Sequence, residues 1–292
     1  MTKYIDLARQ GKNDWWRYLT SILIILVSWV VFSLLLSILL ILTNILIHPK
    51  RVSSNPSTVN LAGFSPWVTV MVTLLSYLPL LASLLLVVRY IHQRPILSLI
   101  TSLPRLDWKR LATGYLFFMV LIALTCAVEA TLFPGRYKLT FNALEWFKFF
   151  PLILILIPMQ AATEEMLLRG YLMQSLGLLS RRTLVPVILS SLIFMSLHLA
   201  NPEVKADLVL TLVYYFFVGL LFALVTVKDN RLELAIGAHA ATNMFVLVVN
   251  NSVSVLPVAS IFTVTTLDAR YNLASFLVIG VIFYAGIFLR RE

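Results

Sequence analysis

Two adjacent glutamates in an otherwise apolar stretch are the residues best suited to chemistry in this sequence. Glu164 and Glu165 stand together, and Arg169 follows Glu165 by four positions. Residues four apart share one face of a helix, so we expect Glu165 to pair with Arg169. Glu164 is rotated by about 100° from Glu165 and stays available as an acid or base. The alternative is a structural ion pair with one spare carboxylate.

Two histidines in other apolar stretches are the next candidates. His198 follows Phe194 by one helical turn, and His239 precedes Asn243 by one turn, so each pair shares a helix face. Either pair alone could be ordinary packing or an interhelical hydrogen bond. Beside a carboxylate, an imidazole could instead share a water molecule with it. The small residues around His239 permit close approach of another helix: Gly237, Ala238, Ala240 and Ala241.

The chain spacing predicts similar membrane depth for Glu164 and His198. They lie 17 positions before and after Arg181, which is near the turn between two apolar stretches. His239 lies only nine positions after Asn230, near the next turn on that side. A shared site therefore requires that the first hairpin project beyond the bilayer or that the helix of His239 tilt. If the site is shared, we expect His239 within about two helical turns of Glu164.

The elements that position these residues are predicted to be membrane helices. Of 292 residues, 60% are hydrophobic and 12% are charged, and the mean hydropathy is +0.92. This composition excludes an ordinary soluble domain and a disordered chain. The single cysteine, Cys126, excludes a disulfide framework and a cysteine-based zinc site. We therefore predict an all-α, polytopic membrane protein.

About eight transmembrane helices are predicted, because each apolar run is close to the ~20 residues that cross a bilayer. The segments are 18–47, 66–88, 111–133, 151–179, 183–200, 206–227, 233–250 and 272–289. They divide the chain into an N-terminal region with three spans (1–150), a core with four spans and the candidate site (151–250), and a C-terminal span (251–292). We expect no cleavable signal peptide, since the first run is too long and begins too late.

The basic residues predict the orientation of the chain. With the N-terminus inside, 15 Lys and Arg residues fall in inner segments and 7 in outer segments. The positive-inside rule then places both termini in the cytoplasm, with the plasma membrane as the expected location. The net charge of +10 thus needs no nucleic-acid partner. Glu129, near the end of the third span, is interpreted as an interfacial acid that reaches lipid headgroups, and His48 and His92 are assigned no role.

Three motifs, in order along residues 150–250, carry a resemblance to a known family. They are E-E-x-x-x-R (Glu164, Glu165, Arg169), F-x-x-x-H (Phe194, His198) and H-x-x-x-N (His239, Asn243). Their combination resembles the CAAX-processing protease and bacteriocin-processing family (CPBP, also called Abi), which includes the type II CAAX prenyl endopeptidases. Each motif is weak alone, and their order on separate apolar stretches makes the combination specific. The remaining spans resemble the family only in being hydrophobic.

This resemblance implies an intramembrane endopeptidase that hydrolyses a peptide bond near the membrane. Glu164 would act as general base on a water molecule, and His198 would position or activate that water. His239 and Asn243 would bind the oxyanion. The implied supporting residues are Glu165, Arg169 and Phe194. The implied substrate is a peptide or a prenylated protein C-terminus, bound in a water-filled cavity.

The sequence leaves two alternatives open for a cofactor. A divalent metal such as zinc could be held by a set of carboxylates and histidines: Glu164, Glu165, His198 and His239. The same residues could equally work with no obligatory metal. The His-Glu-x-x-His motif of zinc metalloproteases does not occur in the sequence.

Two other functions also stay open. Buried acids and histidines serve as proton relays and ion sites in transporters. The inverted repeats and paired broken helices typical of transporters are not evident in the sequence. The same fold could instead serve as a non-catalytic immunity or scaffold protein, although the motif residues are intact. Membrane lipid is an expected partner in each case.

Overall fold

We describe the protein from a computed structural model, for residues 3–47, 66–180, 182–205, 207–251, 254 and 256–289. Most of these residues are helical, which confirms the predicted all-α, polytopic fold. The predicted loop 48–65 lies outside the described residues. So does Arg181, and His48 lies within this loop.

Ten α-helices, α1 to α10, occur in the described part of the chain. In order they are Trp15–Ile47, Pro66–Leu75, Tyr77–Leu86, Trp108–Leu132, Ala143–Glu165, Gln174–Leu179, Leu184–Leu197, Leu208–Asp229, Glu233–Met244 and Ala269–Phe288. A π-helical segment, Val87–Ile91, continues α3, and another, Met166–Met173, joins α5 to α6. Short 3-10 helices cover Tyr4–Gln10, Ile96–Leu99, Pro202–Lys205 and Phe245–Leu247.

Six helical segments of the described residues are long and apolar enough to cross a bilayer. They are Trp15–Thr43, Pro66–Ile91, Trp108–Leu132, Ala143–Leu179, Leu208–Asp229 and Ala269–Phe288. The other two predicted spans contain only the shorter helices α7 and α9, of 14 and 12 residues. At 1.5 Å per residue these are roughly 20 Å long, less than the ~30 Å hydrocarbon core. The protein is an integral membrane protein with two short helices at these positions.

Local turns explain why α7 and α9 are shorter than predicted. α7 ends at Leu197, and a turn leads to the 3-10 helix that begins at Pro202. α9 starts at Glu233, after Asn230 adopts a left-handed conformation with φ of 60°. At its other end, α9 tightens into a 3-10 turn at Phe245. The residues that follow both helices are partly apolar, so hydropathy alone extended both predictions too far.

α9 is enclosed by protein. All residues from Glu233 to Ala241 are buried, and the helix packs against α4, α5 and α8. A Cβ on Gly237 would lie 2.2 Å from the carbonyl oxygen of Leu111. A Cβ on Gly114 would lie 2.4 Å from the carbonyl oxygen of Leu234. α4 and α9 therefore touch backbone to backbone, as the small residues around His239 predict.

Polar contacts fix the end of the bundle at which α9 begins. Arg110 pairs with Asp229 at the end of α8, and Arg231 Nη1 donates to Asp107 at 2.9 Å. The backbone N–H of Asp107 donates to Glu233 Oε1 at 3.2 Å. The backbone N–H of Arg110 and the nearby charge of Arg231 lower the pKa of Asp107 from its ordinary value. These contacts hold α4, α8 and α9 in register.

A small sheet, which the sequence did not predict, lies where α4 ends and α5 and α10 begin. β1 (Tyr137–Leu139) runs antiparallel to β3 (Phe262–Val264), and β3 pairs in parallel with β2 (Val249–Asn251). The strands have three residues each. Such short strands leave too little alternation in the sequence for a period of two to be recognised.

The prediction that Glu129 reaches lipid headgroups is wrong. Glu129 is only 6% exposed. Its Oε1 accepts a hydrogen bond from Arg136 Nη1 at 2.6 Å, and its Oε2 accepts one from the Tyr137 hydroxyl at 2.5 Å. Arg136 also reaches Asp268 at 3.3 Å. The chain folds back over the end of α4 before β1, and this return brings the partners to the carboxylate.

We expect Gly237→Ala to destabilise the protein, because its new methyl group would meet the backbone of α4. Overpacking of this kind costs about 1–3 kcal/mol, which should lower the thermal midpoint of the detergent-purified protein. Gly280→Ala is the matched control, since its Cβ would meet Leu221 at an ordinary 3.4 Å. Equal midpoints for the two variants would contradict the backbone contact.

Candidate active site

Glu165 and Arg169 form the buried ion pair that their spacing predicts. Arg169 Nη1 donates to Glu165 Oε1 at 2.8 Å, and both side chains are fully buried. Arg169 Nη2 donates to the carbonyl oxygen of Gly219 in α8 at 2.8 Å. The guanidinium lies 5.0 Å from the ring centroid of Phe194 and 5.9 Å from that of Phe222. The pair therefore joins the end of α5 to α7 and α8.

Glu164 points elsewhere, as the helical rotation predicts, and lines a cavity of about 610 Å³. Its Oε1 accepts hydrogen bonds from the Tyr77 hydroxyl and the Gln160 amide, each at 2.6 Å. Its Oε2 lies 3.5 Å from Nε2 of His239. The carboxylate predicted to be free is thus held through one oxygen at the cavity wall.

His239 connects the two glutamates. Its Nδ1 lies 2.8 Å from Oε1 of Glu165, and its Nε2 faces Glu164. Because a carboxylate only accepts hydrogen bonds, Nδ1 carries the proton in this contact. The ring stacks on Phe222 with centroids 5.4 Å apart and an interplanar angle of 24°. His239 therefore lies well within two helical turns of Glu164, as a shared site requires.

The depth conflict between His239 and Glu164 disappears for two reasons. α9 is short and lies inside the bundle, so its depth need not match a full crossing. The segment Ala143–Leu179, which carries Glu164, is 37 residues long. At 1.5 Å per residue it measures roughly 55 Å, well beyond the hydrocarbon core. The length of this segment agrees with a hairpin that projects from the bilayer.

His198 ends α7 and lines the same cavity. Its Nδ1 lies 2.7 Å from the carbonyl oxygen of Phe194. A carbonyl oxygen only accepts, so Nδ1 carries a proton and Nε2 of the neutral ring is an acceptor. The ring stacks on Tyr215 with centroids 4.1 Å apart, and it packs against Phe194 at 4.4 Å. These contacts fix both the plane and the tautomer of the imidazole.

Asn243 lines the cavity one turn after His239 and contacts α5. Its Nδ2 donates to Gln160 Oε1 at 2.8 Å, while Gln160 Nε2 donates to Glu164. Because Glu164 accepts, Gln160 presents its nitrogen to the carboxylate and its oxygen to Asn243. The orientation of both amides follows from the position of one carboxylate.

The structure brings together every residue of the three motifs. Five of them line the cavity: Glu164, Phe194, His198, His239 and Asn243. Glu165 and Arg169 are fully buried behind this wall.

Three further side chains of the site were missed at the sequence level: Tyr77, Gln160 and Tyr215. Gln160 precedes Glu164 by four positions, a spacing that could have identified it. Tyr77 lies 87 positions before Glu164, and no local pattern links the two.

The described residues do not form the metal site that the sequence left open. Among them, no group of three or more His, Cys, Asp or Glu side chains is arranged to hold a metal ion. Glu165 Oε1 already accepts from Arg169 and from Nδ1 of His239. Glu165, one of the four candidate ligands, does not line the cavity.

Comparison with known proteins identifies the region around this cavity. Residues 146–245 match a protein-family model described as "Type II CAAX prenyl endopeptidase Rce1-like". The chain carries an Rce1-like domain. This domain contains every motif residue from Glu164 to Asn243, whereas Tyr77 lies outside it. The resemblance inferred from the three motifs is confirmed.

One relative matches nearly the whole chain, including the Rce1-like domain and the helices on either side of it. The "Uncharacterized protein YyaK" of Bacillus subtilis strain 168 is 28% identical over 283 residues. The match covers 96% of this chain and 93% of that protein. No solved structure matches this chain. The Rce1-like domain and the apolar helices together support a membrane protease.

Arg169→Met should strongly destabilise the protein, because it leaves the buried Glu165 carboxylate without its cation. Breaking one partner of a buried ion pair costs about 3–5 kcal/mol, read out as a lower thermal midpoint in detergent. Lys148→Met is the control, since its pair with Glu145 is about half exposed and such pairs contribute less than about 1 kcal/mol. Similar midpoints for the two variants would contradict a structural role for Arg169.

Proposed function

We propose that this protein is an intramembrane endopeptidase in which Glu164 activates a water molecule. The observation that carries the proposal is one shared cavity wall: Glu164, His198 and His239 line it, with the Glu165–Arg169 pair behind them. The Rce1-like domain supports the protease class. A carboxylate and two imidazoles of defined orientation are the groups that hydrolysis of an amide needs.

In the proposed reaction, water attacks the carbonyl carbon of the scissile peptide bond. Glu164 takes one proton from the water through Oε2, and Nε2 of His198 accepts a hydrogen bond that orients the water. The carbonyl π electrons move to oxygen and form the tetrahedral oxyanion. When the C–N bond breaks, Glu164 returns its proton to the leaving nitrogen, giving an amine and a carboxylic acid, which then loses its proton to water.

His239 and Asn243 are proposed to stabilise the oxyanion. Nδ1 of His239 already donates to Glu165, so Nε2 donates to the oxyanion only when the ring is an imidazolium. Glu164 and Glu165 each lie within 3.5 Å of this ring, and Arg169 pairs with Glu165 behind it. One preorganised oxyanion donor contributes roughly 3–4 kcal/mol to the lowering of the barrier.

The proposed substrate is a prenylated protein C-terminus or a similarly apolar peptide. Beside its catalytic wall, the cavity is lined by apolar side chains that include Leu74, Leu80, Phe118 and Ile122. These residues suit an apolar group close to the scissile bond. The polar catalytic wall suits the peptide backbone, which needs hydrogen-bonding partners inside a membrane.

Glu164→Gln should lower the cleavage rate of a fluorogenic prenylated CAAX peptide by about 10²- to 10⁴-fold, because it removes the general base at nearly constant size. His198→Ala should also reduce the rate. Glu145→Gln, at an exposed pair with Lys148, is the control. The assay uses purified protein in detergent, with the unprenylated peptide compared in parallel.

Wild-type rates in both Glu164→Gln and His198→Ala would refute the mechanism. Absence of cleavage in every sample would favour the non-catalytic immunity or scaffold protein. A chelator should leave the wild-type rate unchanged, because no three His, Cys, Asp or Glu side chains of the described residues are arranged to hold a metal ion. Loss of activity on chelation with recovery on zinc addition would contradict this reading of the site.

We also propose that both termini face the cytoplasm from the plasma membrane. The excess of basic residues in the inner segments supports this orientation. The N–H of Tyr4 donates to Asn230 Oδ1 at 2.5 Å, and Ile287 near the end of α10 lines a surface recess with Arg231. Both ends of the described chain therefore lie beside the turn between α8 and α9.

Single cysteines in a Cys126→Ser background should report this orientation. Arg9 and Lys138 are exposed at opposite ends of the bundle. In intact cells, a membrane-impermeant maleimide should label Lys138→Cys, and it should label Arg9→Cys only after permeabilisation. The reverse pattern would overturn the proposed orientation.

A further inference from the structure

The hydroxyl of Tyr77 contacts the proposed general base from outside the Rce1-like domain. It donates to Glu164 Oε1 at 2.6 Å, across 87 positions of the chain. Tyr77 lines the same cavity as Glu164. A neutral hydroxyl that donates to an ionised carboxylate forms one of the stronger hydrogen bonds in proteins. The N-terminal helices thus reach the catalytic wall through this side chain.

A break in the second membrane-spanning segment places Tyr77 in this position. α2 ends at Leu75, and α3 begins at Tyr77. Pro79 has no backbone N–H, so it cannot donate to the carbonyl of Leu75, as a helix would require. Ser76 occupies the joint, and its hydroxyl donates to the carbonyl oxygen of Thr73 at 2.7 Å. The side chain at the start of α3 therefore projects from a helix joint towards α5.

The two donors to Glu164 act on the same oxygen. Tyr77 and Gln160 both donate to Oε1, whereas Oε2 lies on the side of His239 Nε2 at 3.5 Å. With Oε1 held, the carboxylate cannot turn to form a closer ion pair with an imidazolium at His239. Oε2 then stays available to a water molecule in the cavity.

The same contacts orient the proposed oxyanion donor. Gln160 can accept from Asn243 only while its nitrogen faces Glu164. The carboxylate held by Tyr77 therefore sets the direction of the Gln160 amide, which in turn keeps the Asn243 amide nitrogen on its present side. The general base and one oxyanion donor are coupled through two hydrogen bonds, and the bond from Tyr77 to Glu164 extends this chain.

We infer that Tyr77, together with Gln160, is a positioning residue that holds Glu164 by Oε1 and leaves Oε2 to the attacking water. The inference rests on the proposed function of Glu164. It extends the active site beyond residues 146–245 to the joint between α2 and α3. The action is indirect, because Tyr77 works through the carboxylate.

Tyr77→Phe removes the hydroxyl and keeps the ring. We expect kcat for the prenylated peptide to fall about tenfold to a hundredfold, as loss of a hydrogen bond to a charged group implies, with KM within about twofold. The acid limb of the pH profile of kcat/KM should move to higher pH, because a donor that favours the ionised carboxylate is lost. Tyr171→Phe is the matched control, since the Tyr171 hydroxyl contacts His92 Nε2 at 2.8 Å, away from the cavity.

The pH comparison isolates Tyr77 because both variants keep the other titratable groups around Glu164. These are Glu165, Arg169, His198, Tyr215 and His239. Gln160→Met removes the second donor from α5 and should shift kcat and the acid limb in the same direction. If Tyr77→Phe has a much lower thermal midpoint than Tyr171→Phe, its loss of activity could reflect instability, and Gln160→Met then provides a separate test.

Wild-type kcat and an unshifted acid limb in both Tyr77→Phe and Gln160→Met would overturn the inference. If Glu164→Gln were inactive in the same assay, the proposed function of Glu164 would stand, and only the positioning role of Tyr77 would be lost. Full activity of Glu164→Gln would instead remove the proposed function itself. A lower kcat with the expected shift in Tyr77→Phe, absent from Tyr171→Phe, would support the positioning role.

Discussion

The hydrogen bonds that the buried Glu165 carboxylate accepts are the interactions on which the geometry of this protein depends. This carboxylate is fully buried and accepts hydrogen bonds from Arg169 and from His239 on a different helix. Removing a charge from water is costly, so each of these groups is stable inside the protein only while the others stay in contact. Arg169 extends the network to Gly219 of α8. A single buried carboxylate therefore sets the relative positions of α5, α8 and α9.

Around this network, the bundle is built so that α9 cannot move independently. Gly114 and Gly237 bring the backbones of α4 and α9 into direct contact. Ion pairs at the start of α9 hold that end of the helix. The opposite end leads through the 3-10 helix Phe245–Leu247 into β2 of the small sheet. The imidazole of His239 is therefore fixed by backbone contacts, a network of charges and the sheet.

The parts of the site that the sequence predicted are those with local spacing. The Glu165–Arg169 pair and the shared face of Phe194 and His198 follow from helical geometry alone, and both are present. The contact with Tyr77 could not be predicted, because it depends on how two distant helices pack. Hydropathy overestimated the lengths of α7 and α9, because local turns end both helices while the residues that follow them are still partly apolar. The partners of Glu129 were missed for the same reason as Tyr77: the chain returns to it through tertiary structure.

The enclosure of α9 also separates the catalytic groups from the thickness of the bilayer. Long lipid-facing helices such as α1 tilt or shift when the hydrocarbon layer becomes thinner or thicker. α9, with 12 residues and nearly all of them buried, has no lipid-facing length to match. A change in lipid composition therefore acts on the outer helices, while the distance between His239 and Glu164 is set by protein contacts alone. The relative depth of the catalytic groups is therefore fixed within the protein and does not depend on the thickness of the membrane.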